Sequence, residues 1–572
     1  MGANSQANES HMASTGLLKR IKNLLRLIYS KPESDFIFPA LKNLMDVYRG
    51  NEEILARKKK YNDCVVLDES DSILMTYADS IYRQGEKPLF TLYKFLKKHV
   101  KNATSSVHVL PFFPSSSDAG YAVIDYEKVD PVLGTWDDLR RISKEYRLMV
   151  DLVLNHVSSR SKWFLGFLEG KKRYRDFFIW SDQRVEMPEV FRPRETPLFT
   201  RFHTASGEKY VWTTFGPDQI DLNYRNPEVL LKIIDVFLYY LSQGAEIIRL
   251  DAIGYVWKEP HTSCVNLSKT HQIVRLLRSI MEYVAPYALI LTEANFPYKE
   301  NIAYFGESHE ANMVYRFSLP PLVADAFARR DTTYIKKITN RKREDLLFFD
   351  FLASHDGIAL LAAKEILNKV EFDNLLSIAE EHGGLVSYKS SNGDKEPYEL
   401  NISYFDIIND PRIPDDTQAV KRFMAAQAIM LSLKGVPGIY VHSLLGSRNY
   451  CKGVTESGLN RMINREKLQA DKLDAAISDP QSIRSRVLNH FLHLLNVRKQ
   501  IVSFHPAGTR EVVDSDKRLL IIRRNFQDKT IHVIINVSDD EVMVPDHAGK
   551  FDRLTRTAFD GSVNGYGIYF LE

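Results

Sequence analysis

The feature that most constrains the fold is an apolar run that ends in a charged pair and a glycine, Ile247-Ile-Arg-Leu-Asp-Ala-Ile-Gly254. Its β-branched apolar residues predict a strand that is buried on both faces. A carboxylate at the end of such a strand, Asp251, would be costly to place there for stability alone. Two more apolar runs end in an acid in the same way, at Glu293 and at Asp356. Three acids at the carboxyl ends of buried strands predict an active site on a parallel barrel.

The chain alternates between short apolar runs and helical patterns. Apolar residues with helical spacing lie between most of the runs, for example at 227–242 and 269–284. Eight such alternations indicate an α/β fold, a (β/α)8 TIM barrel, which we place at residues 66–502. The predicted strands are 72–77, 106–113, 148–156, 246–253, 288–295, 313–319, 346–356 and 438–446.

Four further segments extend this barrel. Apolar residues at three- and four-residue spacing predict an N-terminal helical extension at 14–65, which we expect to dock on the protein body because its polar face is not uniformly basic. Long intervals at 158–223 and 357–403, after strands 3 and 7, predict inserted loop domains that shape a pocket. We expect the second to carry a helix and then a polar loop at 389–399. Alternation in short strands predicts a C-terminal antiparallel β domain at 503–572.

Composition restricts the classes of protein to which the chain can belong. It has 572 residues, of which 44% are hydrophobic and 26% charged, as is ordinary for a soluble globular protein. The formal net charge of +3 is spread evenly along the chain, so we expect no nucleic-acid partner. No apolar run reaches the roughly 20 residues of a membrane span, so we expect no membrane association either.

The cysteine pattern and the N-terminal residues indicate in which cellular compartment the protein works. Cys64, Cys264 and Cys451 are far apart and form neither a disulfide framework nor a metal motif. This pattern favours a reducing compartment. Residues 1–13 lack the apolar core of a signal peptide, and we interpret them as a cloning remnant. We therefore expect a cytoplasmic protein without a metal site.

The three strand-end acids suit the cleavage of a glycosidic bond. Its oxocarbenium-like transition state needs a negative charge on one face and a proton for the leaving oxygen. Asp251 suits the nucleophile, because we expect the neighbouring Arg249 to lower its pKa. Glu293 suits the general acid, because burial raises a carboxyl pKa, and Asp356 beside His355 could bind sugar hydroxyls. A single such acid is more often a helix cap or a surface residue, but three at matching positions favour catalysis.

Other polar and aromatic side chains at strand ends have structural alternatives. Asp118 and His156 could each be a hydrogen-bond partner within the fold, and Asp151 with Asn155 could brace loops. Aromatic residues belong to the core by default, although a ring can also face a sugar. The candidates for such a face are Tyr121 and Phe215, with Phe112, Phe113, Trp212 and Tyr255 as further aromatics.

Taken in order, these motifs resemble the signature set of the α-amylase clan of retaining glycoside enzymes. Further stretches narrow the likeness to the sucrose phosphorylase group, and it extends from about residue 73 to the C-terminus. The clan motifs are Asp118-Ala-Gly120, 151–156, Arg249-Leu-Asp251, Glu293 and His355-Asp356, and those of the group include Phe191-Arg-Pro-Arg194, Val211-Trp-Thr-Thr-Phe215, Leu319-Pro-Pro321 and Gly435-Val-Pro437.

The resemblance implies a glycoside phosphorylase, a hexosyltransferase that works by double displacement. Asp251 would be the nucleophile that forms a β-glucosyl ester, Glu293 the general acid/base and Asp356 the stabiliser of the transition state. Phosphate would then attack the ester and give α-glucose 1-phosphate with retention. Inorganic phosphate is a co-substrate, no cofactor is implied, and a homodimer is suggested. The residues implied to hold the glucosyl unit are Asp118, His156, Arg249, His355 and Arg461.

The identity of the second substrate is inferred from acceptor-side positions at which this chain differs from the group's usual pattern. Asn295 stands where sucrose phosphorylases typically have a histidine, and Tyr398-Glu399 stands where they usually have Tyr-Gln. Their Gly-Lys-Asn-like element is Gly446-Ser-Arg-Asn449 here. The set resembles the branch that handles 2-O-α-glucosylglycerate or glucosylglycerol. Arg448 could bind the carboxylate of glycerate, bind phosphate, or form a structural ion pair.

Three classes of function stay open at this stage. The first is phosphorolysis of a small α-glucoside, with glucosylglycerate preferred to glucosylglycerol and sucrose. The second is a hydrolase or transglucosidase; Arg194, which matches the phosphate-linked loop arginine of the group, argues against it unless Arg194 is a solvated surface residue. The third is a non-catalytic barrel, which the presence of all three acids disfavours.

Overall fold

The computed structural model describes residues 2–65, 67–341, 346–391 and 394–572. Eight parallel strands, β1 to β8, form a closed barrel in which each strand pairs with its neighbours in chain order and β8 pairs with β1. The predicted (β/α)8 barrel is therefore confirmed. The strands are β1 Ile73–Thr76, β2 Ser106–Val109, β3 Arg147–Val153, β4 Ala245–Asp251, β5 Leu289–Thr292, β6 Met313–Tyr315, β7 Phe348–Phe351 and β8 Val436–Tyr440.

The prediction of β8 at 438–446 is wrong at both ends. The strand already begins at Val436, and Val441–Leu444 form a short helix. Pro437 and Gly438 are typical turn residues, but both lie within the strand. Gly438 is needed there because the Phe349 ring of β7 packs directly on it. A Cβ atom at Gly438 would lie 2.1 Å from that ring. The other predicted strands extend too far at their carboxyl ends, where polar loop residues begin.

Helices cover the outside of the barrel. Pro227–Ser242, which follows β3, has Asn226 as its N-cap and a proline in its first turn, and one apolar face of this helix is fully buried. The other helices of eight or more residues in this region are Pro88–Phe95, Trp136–Ser143, Ser268–Val284, Leu319–Arg329, Lys369–Glu381, Asp416–Ser432, Ala470–Ser478 and Ile483–Arg498; shorter ones are Lys162–Leu168, Tyr298–Ala303, Thr333–Thr339, Leu361–Lys364, Tyr404–Ile408 and Cys451–Ser457.

The N-terminal extension consists of the helices Gly2–Ile28, Lys31–Arg49 and Glu52–Tyr61. The first packs on the barrel helix Ser268–Val284 and the second on Pro227–Ser242. The apolar stripe of the first helix, which includes Ile21, Leu25 and Ile28, is buried. Within the described ranges, no helix combines the length and the apolar composition that a bilayer crossing requires.

The two long intervals fold into small antiparallel sheets. After β3, a three-stranded sheet consists of Trp180–Ser181, Phe199–Thr204 and Gly207–Trp212, and a separate strand, Gln219–Asp221, pairs with His156–Ser158. After β7, the strands Leu385–Ser391 and Asp394–Asn401 form a hairpin joined by Ile358–Ala359. The expectation of a polar loop at 389–399 is therefore wrong. The hairpin forms although it is polar because one end of it, Tyr398, Glu399 and Leu400, is buried against the barrel side of the molecule, where Glu399 pairs with Arg461.

The C-terminal segment is an antiparallel sheet packed against the barrel. The Arg524 guanidinium donates hydrogen bonds to the carbonyls of Ser432 and Leu433, at the end of a barrel helix. The main sheet consists of Thr509–Val513, Leu519–Phe526, Lys529–Asn536, Ile568–Leu571, Phe551–Asp552 and Thr557–Ala558, and Val542–Met543 pairs separately with Ser562–Val563.

Candidate active site

The barrel brings the three predicted acids together at its carboxyl end. Asp251 is the last residue of β4, and Glu293 follows β5 directly. The Glu293 N–H still donates to the Leu250 carbonyl of β4 at 3.1 Å, so the backbone register places Glu293 beside Asp251. Asp356 lies in the loop after β7, where the Ser354 hydroxyl accepts its N–H at 3.2 Å. All three acids line one pocket.

The backbone turn that follows Asp251 is strained and contacts Glu293. Ala252, directly after Asp251, has a φ of 48°, in the left-handed region that residues other than glycine rarely adopt. In this conformation the Ala252 N–H donates to Glu293 Oε2 at 2.9 Å. Strain of this kind persists where the surrounding structure enforces it, and it is concentrated at active sites. Ala252 thus fixes the Glu293 carboxyl group relative to the end of β4.

Arg249 orients Asp251 from below the pocket. Its Nη1 donates to Asp251 Oδ1 at 2.8 Å and to Asp151, its neighbour in register on β3. Its Nε donates to the Tyr315 hydroxyl at 3.0 Å. Arg249 is fully buried and does not line the pocket. The resemblance implies that this arginine holds the sugar, whereas the structure places it against the carboxylate instead.

Asp356 is held by arginines from the segment after β8. Arg461 Nη1 donates to Asp356 Oδ1, and Arg465 Nη2 lies 3.4 Å from the same oxygen. Arg461 also makes a bidentate pair with Glu399, with distances of 3.0 and 2.6 Å. Gly357 allows this arrangement, because a Cβ atom there would lie 2.4 Å from Glu399 Cγ. Glu399 therefore lies behind Arg461, outside the pocket lining.

Burial and charge set the protonation of the acids in different directions. Burial would raise the pKa of Asp356, but the charges of Arg461 and Arg465 outweigh it and hold this pKa well below its usual range. Burial raises the pKa of Glu293, against the opposing charge of Arg249. Burial also raises the pKa of Asp251 above its usual value, although Arg249 opposes the shift and the Glu293 charge adds to it. Arg249 thus lowers the Asp251 pKa, as expected from the sequence, but burial outweighs it and the net shift is upward.

Hydrogen bonds act on the charge of each of these two neighbouring acids. The Arg249 guanidinium lies 2.8 Å from Asp251 but 4.0 Å from Glu293. A charge-assisted hydrogen bond favours the ionised form of the group that accepts it. The contact with Arg249 therefore favours the ionised form of Asp251, against the effects of burial and of the Glu293 charge. The Ala252 N–H favours the ionised form of Glu293 in the same way, and burial opposes it.

The opposite side of the pocket is a network of neutral donors around Asp118. Gln219 Nε2 donates to Asp118 Oδ2 at 3.0 Å and lies 3.1 Å from His156 Nε2. The Tyr121 hydroxyl lies 2.7 Å from His355 Nε2, and the two rings stack. Burial lowers the pKa of His355 to about 3, so this ring is neutral. Sequence reasoning missed Gln219, because only the pairing of Gln219–Asp221 with His156–Ser158 brings it here.

The pocket spans about 590 Å³, a volume that includes the solvent at its open mouth. Most of its lining was predicted from the sequence; Gln219 and Ala252 were not. The Asn295 amide lies 3.3 Å from the Tyr398 hydroxyl on the acceptor side. Phe112, Phe113 and Trp212 are buried in the core and do not line the pocket. The lining residues are Asp118, Tyr121, His156, Arg194, Phe215, Gln219, Asp251, Ala252, Tyr255, Glu293, Asn295, His355, Asp356, Tyr398 and Arg461.

Arg448 does not belong to this lining. Its Nε donates to Asp406 Oδ1 at 3.1 Å, and the guanidinium lies over the Phe405 ring. The neighbouring Asn449 N–H donates to the other oxygen of Asp406 at 2.7 Å. The sequence left three roles open for Arg448, and the structure shows one of them, the ion pair within the fold.

Comparison with known proteins places these motifs in a family. Residues 98–358 match the model of the alpha amylase catalytic domain. The chain is 47% identical over 528 residues to a glucosylglycerate phosphorylase from Spirochaeta thermophila, covering 91% of this chain and 89% of the relative. It is 42% identical to the glucosylglycerate phosphorylase of Escherichia coli, covering 85% of this chain and 87% of the relative.

A solved structure has the same architecture. The sucrose 6F-phosphate phosphorylase from Thermoanaerobacter thermosaccharolyticum superposes with a TM-score of 0.73 at 26% identity. The superposition covers 82% of this chain and 94% of that one. The similarity therefore includes the barrel.

Proposed function

Because this chain belongs to the α-amylase family and, within it, to the group of glucosylglycerate phosphorylases, we propose that it transfers a glucosyl unit from 2-O-α-glucosylglycerate to inorganic phosphate. The observation that carries the proposal is the 47% identity over 91% of the chain. The pocket supports it, because it brings together the three carboxyl groups that a retaining mechanism of this family uses.

In the first half-reaction, Asp251 attacks C1 of the glucosyl unit as the bond to the glycerate oxygen breaks. Glu293 gives its proton to that oxygen, which leaves as the hydroxyl of glycerate. The product on the enzyme is a β-glucosyl ester of Asp251. Asp356, kept ionised by Arg461 and Arg465, stabilises the positive charge that develops on the sugar.

In the second half-reaction, a phosphate oxygen attacks C1 from the face that glycerate left. The ester bond breaks and Asp251 departs as a carboxylate, which Arg249 is placed to stabilise. The product is α-glucose 1-phosphate, with retention after two inversions. Phosphate is already an anion, so this step depends less on proton removal by Glu293. We propose that no cofactor takes part; a homodimer and a cytoplasmic location stay predictions.

A substrate panel tests this function. The enzyme is incubated with phosphate and, separately, with glucosylglycerate, glucosylglycerol and sucrose, and glucose 1-phosphate is measured. We expect the highest kcat/KM with glucosylglycerate. Fast turnover of sucrose without turnover of glucosylglycerate would contradict the proposal. Release of glucose at the same rate with and without phosphate would instead indicate a hydrolase.

The pKa shifts predict the pH dependence of the first step. Cleavage needs Asp251 ionised and Glu293 protonated, so kcat/KM falls at low pH and falls again as pH rises past the upper pKa of the pair. Burial raises that upper pKa above the ordinary glutamate value of 4.5. With α-glucosyl fluoride, whose leaving group needs no proton, we expect the alkaline fall to disappear. Identical profiles for both donors would contradict the assignment.

A further inference from the structure

An enzyme that releases glycerate must accommodate its carboxylate beside three acids. That carboxylate therefore needs a cation in the acceptor part of the pocket. Among the described residues that line the pocket, only Arg194 and Arg461 carry a permanent positive charge. Only an arginine that is not already paired with protein carboxylates can bind this anion.

Arg461 is fully engaged by the protein. Its guanidinium donates to Asp356 and makes a bidentate pair with Glu399. Two carboxylates thus surround one cation, so Arg461 presents no net positive charge to a ligand. Arg465, directly behind, donates to the His355 carbonyl at 2.6 Å and also faces Asp356.

The other basic groups near the acceptor side are also unsuited to binding an anion. Lys389 is buried, with Nζ over the Phe191 ring at 5.0 Å and 3.6 Å from Glu396. Burial lowers the pKa of His156 and lowers that of His355 to about 3, so neither ring is a cation near neutral pH. These groups leave Arg194 as the candidate.

Arg194 is free to bind. Within the described part of the chain, its guanidinium makes no hydrogen bond or ion pair, although its side chain is only partly exposed. It lines the pocket together with Tyr255, Tyr398 and Asn295. The loop that carries it is anchored by Phe191, whose ring packs against Tyr255 and Phe296 at centroid distances of 6.3 and 5.8 Å. An unpaired cation on an anchored loop is the arrangement expected for an anion site.

We infer that Arg194, which the family resemblance already links to phosphate, also binds the carboxylate of glycerate and so selects acidic acceptors over neutral ones. The stereochemistry supports a shared site, because with retention glycerate leaves from the same face of C1 that phosphate attacks. The two anions therefore occupy the same space in turn. This inference rests on the proposed function and adds to it the residue that distinguishes glycerate from glycerol.

The test compares two acceptors that differ by the carboxylate. α-Glucosyl fluoride serves as donor in the absence of phosphate, so the glucosyl ester forms independently of any anion site. D-Glycerate or glycerol then accepts the glucosyl unit: its hydroxyl forms the bond to C1, the ester breaks, and the proton passes to Glu293. We expect Arg194→Gln to lower the preference for glycerate over glycerol by about 10- to 100-fold. The KM for phosphate should rise by a similar factor.

Two controls make the outcome specific. Fluoride release by Arg194→Gln without any acceptor is measured as well, so that a change in ester formation is divided out of the comparison between acceptors. Arg192→Gln removes a cation of the same loop that does not line the pocket, and it should keep the preference for glycerate. An Arg194→Gln variant with the wild-type preference would overturn the inference and leave the proposed function standing. A wild-type enzyme that transfers to neither glycerate nor phosphate would overturn both.

Discussion

Replacing Asp251 with asparagine is expected to lower kcat for phosphorolysis of glucosylglycerate by about 10⁴-fold or more. The amide is not nucleophilic at C1, so no glucosyl ester forms. Arg249 keeps its contact with Asp151 in this variant, so the buried guanidinium does not become an unpaired charge. The loss is therefore expected in the chemistry and not in the fold, and initial rates of glucose 1-phosphate formation measure it.

The matched control is Asp235→Asn, which removes a carboxylate on a barrel helix outside the pocket. Asp235 accepts a hydrogen bond from the Tyr48 hydroxyl at 3.0 Å, and we expect this variant to keep wild-type activity. A second variant, Asp251→Ala, should use azide with α-glucosyl fluoride as donor to make β-glucosyl azide. A loss of less than tenfold in Asp251→Asn would refute the assignment of the nucleophile.

Replacing Glu293 with glutamine is expected to have two different effects with two donors. With glucosylglycerate, kcat/KM should fall by about 10³-fold, because the leaving oxygen no longer receives a proton. With α-glucosyl fluoride and phosphate, the rate should fall by less than about tenfold, because fluoride leaves without a proton and phosphate arrives as an anion. Glutamine can still accept the Ala252 N–H, so the side chain keeps its position.

The comparison between donors separates catalysis from structural damage. A variant that is merely misfolded loses activity with both donors equally, and the thermal unfolding midpoint shows whether it is folded. Equal losses in a folded Glu293→Gln variant would remove Glu293 as the general acid. A large loss of activity with α-glucosyl fluoride but not with glucosylglycerate would contradict the proposed mechanism.

The barrel and its acids could be predicted from the sequence because both depend on local pattern. Buried strands are continuous apolar runs, and the residue after each run must lie at the carboxyl edge of the barrel. Asp251 and Glu293 therefore come together once β4 and β5 are recognised as neighbours. The position of Asp356 was harder to predict from the sequence, because it depends on the loop after β7 and on arginines from the segment after β8.

Contacts made by long-range pairing could not be predicted in this way. Gln219 reaches Asp118 only because two short strands of the segment after β3 pair. Arg448 has the same local pattern as a ligand-binding arginine, and only the fold shows that Asp406 neutralises it. The pKa of Asp251 was misjudged for a related reason: the sequence shows the adjacent Arg249, but not the degree of burial or the proximity of Glu293.

The central claim is that Asp251 carries the glucosyl unit between the two substrates. The most direct test incubates the Glu293→Gln variant with α-glucosyl fluoride without phosphate, digests it at low pH and locates the adduct by mass spectrometry. We predict one added anhydroglucosyl unit on the peptide that contains Asp251, and its loss with formation of glucose 1-phosphate when phosphate is added before digestion. An adduct on another residue, or turnover without any adduct on Asp251, would contradict this account.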